Sequence, residues 1–239
     1  MVRTRTLPAC DWRLGHDPAL VRYGVELVEQ FLAASREASS APLRREFRCA
    51  TLANFNPRGV HFDGFVVRLF EHADAIAPAA TGYALGMRIA DLPVELSRAI
   101  DGPARQRAIV ASIYQACEDY FVRAVERFGD RYRHDLLTPC WDTFRHEIGP
   151  LLLRFRPPSS AEQCEWVALA RSLPLTDPDP ITFPIVQNRL VPTAAIPIGA
   201  RTLETIAIGT TVPFETTSEA LHAYLHRQGM HRIAITPIR

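Results

Sequence analysis

The groups with chemistry to offer crowd most closely in residues 54–64, Asn-Phe-Asn-Pro-Arg-Gly-Val-His-Phe-Asp-Gly. Asn, Pro and Gly mark this stretch as a loop. Asn54, Asn56, Arg58, His61 and Asp63 bring donors, acceptors and a group that titrates near neutral pH into one short segment, and Phe55 and Phe62 offer apolar walls, the mixture that small-molecule sites use. His61 would serve as acid or base with Asp63 orienting its ring, and Arg58 would hold a carboxylate or phosphate. The same residue types also build an ordinary turn with local hydrogen bonds.

Cys140 follows Thr138-Pro139, which reads as a helix cap and first helical position. A thiol in that first turn would have a lowered pKa, and His134 with Asp135 would supply a base and its orienter. A small buried hydrophobe is the ordinary alternative.

Other patterns invite metal readings. The doubled His-x-Asp of His61/Asp63 and His72/Asp74 fails on geometry if the segment is one helix. Eleven residues put the two imidazoles on one face but about 16 Å apart, and each aspartate points nearly opposite its histidine. His222 and His226, four apart, could share a metal, but Ala223 stands where a zinc protease has its glutamate, so a solvated helix face is the simpler reading. Asp130 and His134 have the spacing of helical di-iron ligands, with Glu118 and Glu126 as possible recruits, provided that Gly129 does not end the helix first.

All 27 basic residues are arginine. A Schiff base to pyridoxal phosphate, a phosphate-loop lysine and a lysine general base are therefore excluded, and anions must be met by arginine forks, histidines or helix N-termini. No other cofactor is indicated. Gly-x-Gly-x-x-Gly, Gly-x-Ser-x-Gly, His-Glu-x-x-His, the EF-hand loop and paired Cys-x-x-Cys are absent. The net charge of +1, with acidic neighbours offsetting the arginines at 44–48 and 123–133, argues against nucleic acid. Five cysteines at 10, 49, 117, 140 and 164, odd in number and unpaired in spacing, suit free thiols in a reducing compartment. Residues 1–10 lack the apolar run of a signal peptide, and no apolar stretch approaches membrane-spanning length. The expectation is a cytoplasmic protein.

The elements that must position these residues follow from periodicity. Leu20, Val21, Gly24, Leu27, Val28, Phe31 and Leu32 recur at helical spacing after Asp17-Pro18, and Gly24 on that face predicts close approach of another backbone. A helix is predicted after the loop, with Phe65, Val66, Leu69, Ala73 and Ile76 inward, and a short one over 93–100. The longest stripe runs over 104–128, from Ile109 to Phe128, and Gly129 ends it. Another helix starts at Thr138-Pro139 and stops at Gly149-Pro150. Ser159 and Glu162 suggest a capping box for a helix to about 172. Beyond a proline-rich connection, 181–191, 194–198 and 202–212 read as strands, then a helix capped by Thr216 and ended by Gly229, then a last strand over 231–238.

The expected class is α+β, with a mostly helical N-terminal two-thirds followed by a small mixed β-sheet with one crossover helix. The division is 1–156 helical, 157–180 connection and 181–239 β-rich, all of which one domain could contain. The functional expectation is a small-molecule enzyme using acid–base or His/carboxylate metal chemistry near the 54–64 loop, with His134 or Cys140 in a pocket between helices and sheet. The alternative is a non-catalytic subunit docking a protein partner through its β-rich tail.

Overall fold

The computed structural model describes residues 6–11, 18–35, 41–55, 65–70, 82–92, 94–158, 165–170, 181–182, 184–186, 189–190, 193–199 and 201–238. The chain forms two compact units, each discontinuous in sequence. A helical unit comprises His16–Asp63 and Ala99–Glu162, and a sheet unit comprises Met1–Gly15, Gly64–Arg98 and Gln163–Arg239.

The helical unit contains α1 (Pro18–Ser35), α2 (Pro42–Asn54), α3 (Pro103–Phe128) and α4 (Arg133–Leu152). Its core is one cluster in which Val28, Phe47, Tyr114, Phe121, Phe144 and Ile148 lose almost all solvent contact. The Tyr114 ring packs 5.5 Å from both Phe31 and Phe47 and 5.6 Å from Phe144, so it joins all four helices. Gly24 is on the buried face as expected. A Cβ there would lie 3.0 Å from the Leu152 carbonyl oxygen, which explains why the position has no side chain.

Two fully buried polar side chains of this unit, Gln106 and Arg156, are bonded to backbone carbonyls, whereas the buried Trp141 Nε1 has no partner among the described residues. Gln106 is fully buried and ties three segments together. Its amide nitrogen donates to the carbonyls of Ile100 (2.6 Å) and Arg156 (2.7 Å), and its oxygen accepts from the Tyr23 hydroxyl at 2.7 Å. Arg156, also buried, donates to the Leu153 and Phe155 carbonyls.

The sheet unit contains β1 (Thr6–Asp11), β2 (Phe65–Phe70), β3 (Tyr83–Met87), β4 (Glu95–Arg98), β5 (Glu165–Ala170), β6 (Ile181–Thr182), β7 (Ile185–Val186), β8 (Arg189–Leu190), β9 (Thr193–Pro197), β10 (Leu203–Ile208), α5 (Phe214–Arg227) and β11 (Ala234–Pro237). Six strands form an antiparallel sheet in the order β4-β5-β2-β1-β9-β6. A separate three-stranded sheet has the order β11-β10-β3, with β10 parallel to β11 through the crossover helix α5 and antiparallel to β3. The α+β class therefore holds, including the small mixed sheet with its crossover helix.

Several local expectations are corrected. Residues 65–70 form a strand, not a helix, as do 95–98 and 165–170. Phe65–Phe70 and Glu165–Ala170 are short, largely apolar runs whose periodicity suits either state, Glu95–Arg98 is too short to have a period, and cross-strand pairing decides all three. α2 emerges from an arginine-rich stretch that carries no clear apolar stripe, since only Phe47 and Thr51 are fully buried along it. α4 begins at Arg133, five residues before the expected cap, and runs through Pro139, Gly149 and Pro150. The packing of Cys140, Phe144, Ile148 and Leu152 outweighs the backbone hydrogen bonds that the two prolines forfeit. α5 starts at Phe214 after Pro213 and has no side-chain cap, so Thr216 lies inside it.

Candidate functional site

Arg58, His61 and Asp63 lie outside the described residues, as do His72 and Asp74. Cys140 and His134 both lie on α4, one buried and the other exposed. Cys140 is the eighth residue of α4, so it does not sit in the first turn whose dipole would lower a thiol pKa. It is buried, and burial pushes its pKa up, against the direction expected. His134 is exposed near the start of α4, with Nδ1 3.9 Å from Glu46.

The di-iron arrangement is likewise not formed. Gly129 does end α3, and Glu118 is committed elsewhere. Its carboxylate, 1 % exposed, accepts from Arg44 Nη1 at 2.5 Å and Arg48 Nε at 2.6 Å, while Arg44 also reaches Asp119 at 2.6 Å. This network fastens α2 to α3. Its hydrogen bonds to the carboxylates hold both guanidinium pKa values above their ordinary range. Among the described residues no three His, Cys, Asp or Glu side chains gather as a metal site would need.

Polar groups without internal partners gather instead at one end of the mixed sheet. Because β10 and β11 are parallel, the turns that precede them lie at the same end, and antiparallel β3 finishes there too. Three segments far apart in sequence thus deliver side chains to one place. The first is the turn before β10, closed by the Thr202 amide donating to the Gly199 carbonyl at 3.0 Å and carrying Arg201. The second is the end of β3, held to that turn by the Arg88 amide donating to the Thr202 carbonyl at 2.8 Å. The third is the exit from α5. Here Met230 N–H reaches the Leu225 carbonyl at 2.9 Å and Gly229 N–H reaches the His226 carbonyl at 3.0 Å, a Schellman ending. Its left-handed residue is Gly229, with φ 71°. The chain then turns at once into His231, Arg232 and β11.

The resulting cleft has a volume of about 470 Å³ and is lined by Arg88, Arg201, Glu204, His231 and Arg232, with Leu203, Met230 and Ile233 as apolar floor. Arg88 pairs with Glu204 through two of its nitrogens, and that contact holds its pKa above the ordinary range. Arg201 and Arg232 have no ion pair among the described residues. The His231 ring stands edge-on to that of His226, with centroids 4.6 Å apart. His226 is thus engaged with a histidine beyond its own helix, and not with His222 in the i, i+4 pair that the spacing suggested. The last carbonyls of α5 are occupied by the Gln228, Gly229 and Met230 amides, so the positive charge lining the cleft comes from arginine side chains. With two uncommitted guanidinium groups beside an apolar floor, the cleft has the chemistry to hold a planar or tetrahedral oxyanion.

Sequence reasoning named none of these cleft residues. The one signal available was Gly229 as a helix terminator, which places the following His231 and Arg232 in a turn.

The fold and cleft define an α+β protein with an arginine-lined cleft on a small mixed sheet, and no described helix is long and apolar enough to cross a membrane. Comparison with known family models, curated proteins and solved structures finds no match.

Proposed function

We propose that this chain binds a small anionic molecule, bearing a carboxylate or phosphate group, in the cleft of the sheet unit. The observation that carries this reading is the convergence of Arg201, Arg232 and His231 on a cleft of about 470 Å³, within the size range of small-molecule sites. Arg201 and Arg232 clamp the oxyanion, Leu203 and Ile233 take the apolar part, and His231 supplies a ring nitrogen as a hydrogen-bonding group. Titration of the purified chain with inorganic phosphate and with succinate tests this. Saturable binding that weakens with salt and is lost in an Arg201→Ala/Arg232→Ala double variant supports the cleft, and no binding of either anion to the wild type refutes it. The acid–base or metal role of Arg58, His61 and Asp63 rests on residue types alone. Metal content of the purified protein and the effect of His61→Ala on ligand turnover test it separately.

A second reading, docking of a protein partner through the β-rich tail, is favoured by the β7–β8 hairpin. Ile185 and Leu190 are cross-strand partners there, and they are 73 % and 62 % exposed. An adjacent pair of large exposed aliphatics suits a partner's apolar surface. Co-purification that Ile185→Asp abolishes would support this reading, and a monodisperse monomer with no captured partner would remove it.

A further inference from the structure

A second concave site lies in the helical unit, between α3 and α4, with a volume of about 500 Å³. Its floor holds the thiols of Cys117 and Cys140, one from each helix, both buried. Ile113, Ala116 and Pro139 supply apolar walls. Tyr120, 60 % exposed, and Glu147 stand among the lining residues as an aromatic ring and a carboxylate.

Charge selects the occupant. Glu147 is the only charged residue in the lining and has no hydrogen bond or ion pair among the described residues. Nearby arginines are engaged elsewhere. Arg145 pairs with Asp142 at 3.0 Å and lies over the Trp141 ring, and Arg123 donates to the Asp119 carbonyl at 3.2 Å. Burial raises both cysteine pKa values, so the floor carries no charge at neutral pH. An anion entering here meets an unneutralised carboxylate. A cation meets that carboxylate with a tyrosine ring in the same lining, two groups that attract ammonium ions. Polarisable sulfur suits the body of an apolar ligand.

We propose that the α3–α4 groove binds a small organic amine, its ammonium group held by Glu147 and Tyr120 and its apolar body lying on Ile113, Ala116, Pro139 and the two thiols. This site is separate from the sheet-unit cleft and calls for the opposite ligand charge, so each reading can fail alone.

The test is a set of amide-shift titrations of the full-length, isotopically labelled chain with hexylamine, hexanol and hexanoate. Expected are saturable shifts around residues 113–120 and 139–147 with hexylamine, and much smaller ones with the other two probes. Glu147→Gln should weaken hexylamine by about tenfold and leave hexanol unchanged, since tenfold corresponds to the loss of one modest charge-assisted contact. Equal shifts with all three probes would overturn the proposal, because they would make the groove merely apolar. An absence of shifts with hexylamine at millimolar concentration would overturn it as well. The three-probe comparison on the wild type decides the matter even if the variant fails to fold.

Discussion

In the helical unit Arg44, Arg48, Arg133 and Arg156 each meet an acceptor within the unit, whereas in the sheet unit Arg201 and Arg232 share a cleft without an ion pair among the described residues. The cores differ in the same sense. The helical unit has one continuous cluster through all four helices. Among its described residues the sheet unit has separate apolar clusters at Ile196 and at Ile206, with Met87 packed against both. The contrast separates two uses of one residue type. An arginine that neutralises a buried carboxylate maintains the fold, and removing its partner leaves a charge stranded. An arginine at the edge of a cleft contributes little to the fold and remains available to a ligand.

The sharpest way to break this contrast is Glu118→Ala. It leaves the largely buried Arg48 with only the Ser35 carbonyl and Arg44 with Asp119, and should destabilise the helical unit by about 3 kcal/mol. Hydrogen exchange at the amides of α2 and α3 reads that loss, and a change under about 1 kcal/mol would mean the network is ordinary surface pairing.

Alkaline pH should come next. Cys117 is pushed up to about 11, first by burial and then by the neighbouring Cys140 and Glu147. The folded state therefore holds the thiol proton more tightly than the unfolded chain does. The resulting stability is complete below the ordinary thiol pKa and is lost as pH rises through about 11. Helical-unit protection should fall by about 2–3 kcal/mol over that window, and Cys117→Ala should flatten this part of the profile. A profile unchanged by the substitution would show that other groups set it.

Gly24→Ala should cost about 1.5 kcal/mol in urea denaturation, because the added methyl meets the α4 backbone and not a flexible side-chain end. A neutral result would show that α1 and α4 separate easily. The smallest expected effect is on the other side of the contrast. Arg201→Ala and Arg232→Ala should each leave stability within about 0.5 kcal/mol of wild type while phosphate binding drops. A large stability loss would make these arginines structural and erase the distinction between the units.

Much of the helical unit was legible because long apolar stripes have one good interpretation. The spacing of Val110, Cys117, Phe121 and Val125 marks α3, although Tyr120 and Phe128 of the same stripe are exposed and the buried Tyr114 was not read as part of it, while Gly24 announces a close backbone contact and Gly229 marks the end of α5. The strands in the first two-thirds were not legible. Phe65–Phe70 and Glu165–Ala170 pair with each other across about a hundred intervening residues, and nothing local records that partnership. The start of α4 was misplaced because Pro139 is a good first residue of a helix, and only tertiary packing carries the helix through it. The cleft was invisible for a related reason. Arg88, Arg201 and Arg232 meet because of how β3, β10 and β11 pair, not because of any motif.

The interleaving of the two units bears on the order in which the chain can assemble during synthesis. β1 pairs with β9 through registers such as Thr6↔Pro197, so the six-stranded sheet stays incomplete until nearly the whole chain has been made. The residues of the helical unit end at Glu162. Its four helices can thus leave the ribosome as a complete set and pack while β1 still waits for its partner. Meanwhile β1 and β2 can meet through their Cys10↔Val66 and Asp11↔Phe65 pairs. On this account the helical unit does an internal chaperone's work. By folding first it closes Ile100 onto Phe155 within the segment that separates β4 from β5, and the shorter effective loop reduces the entropy lost when β5 pairs with β4.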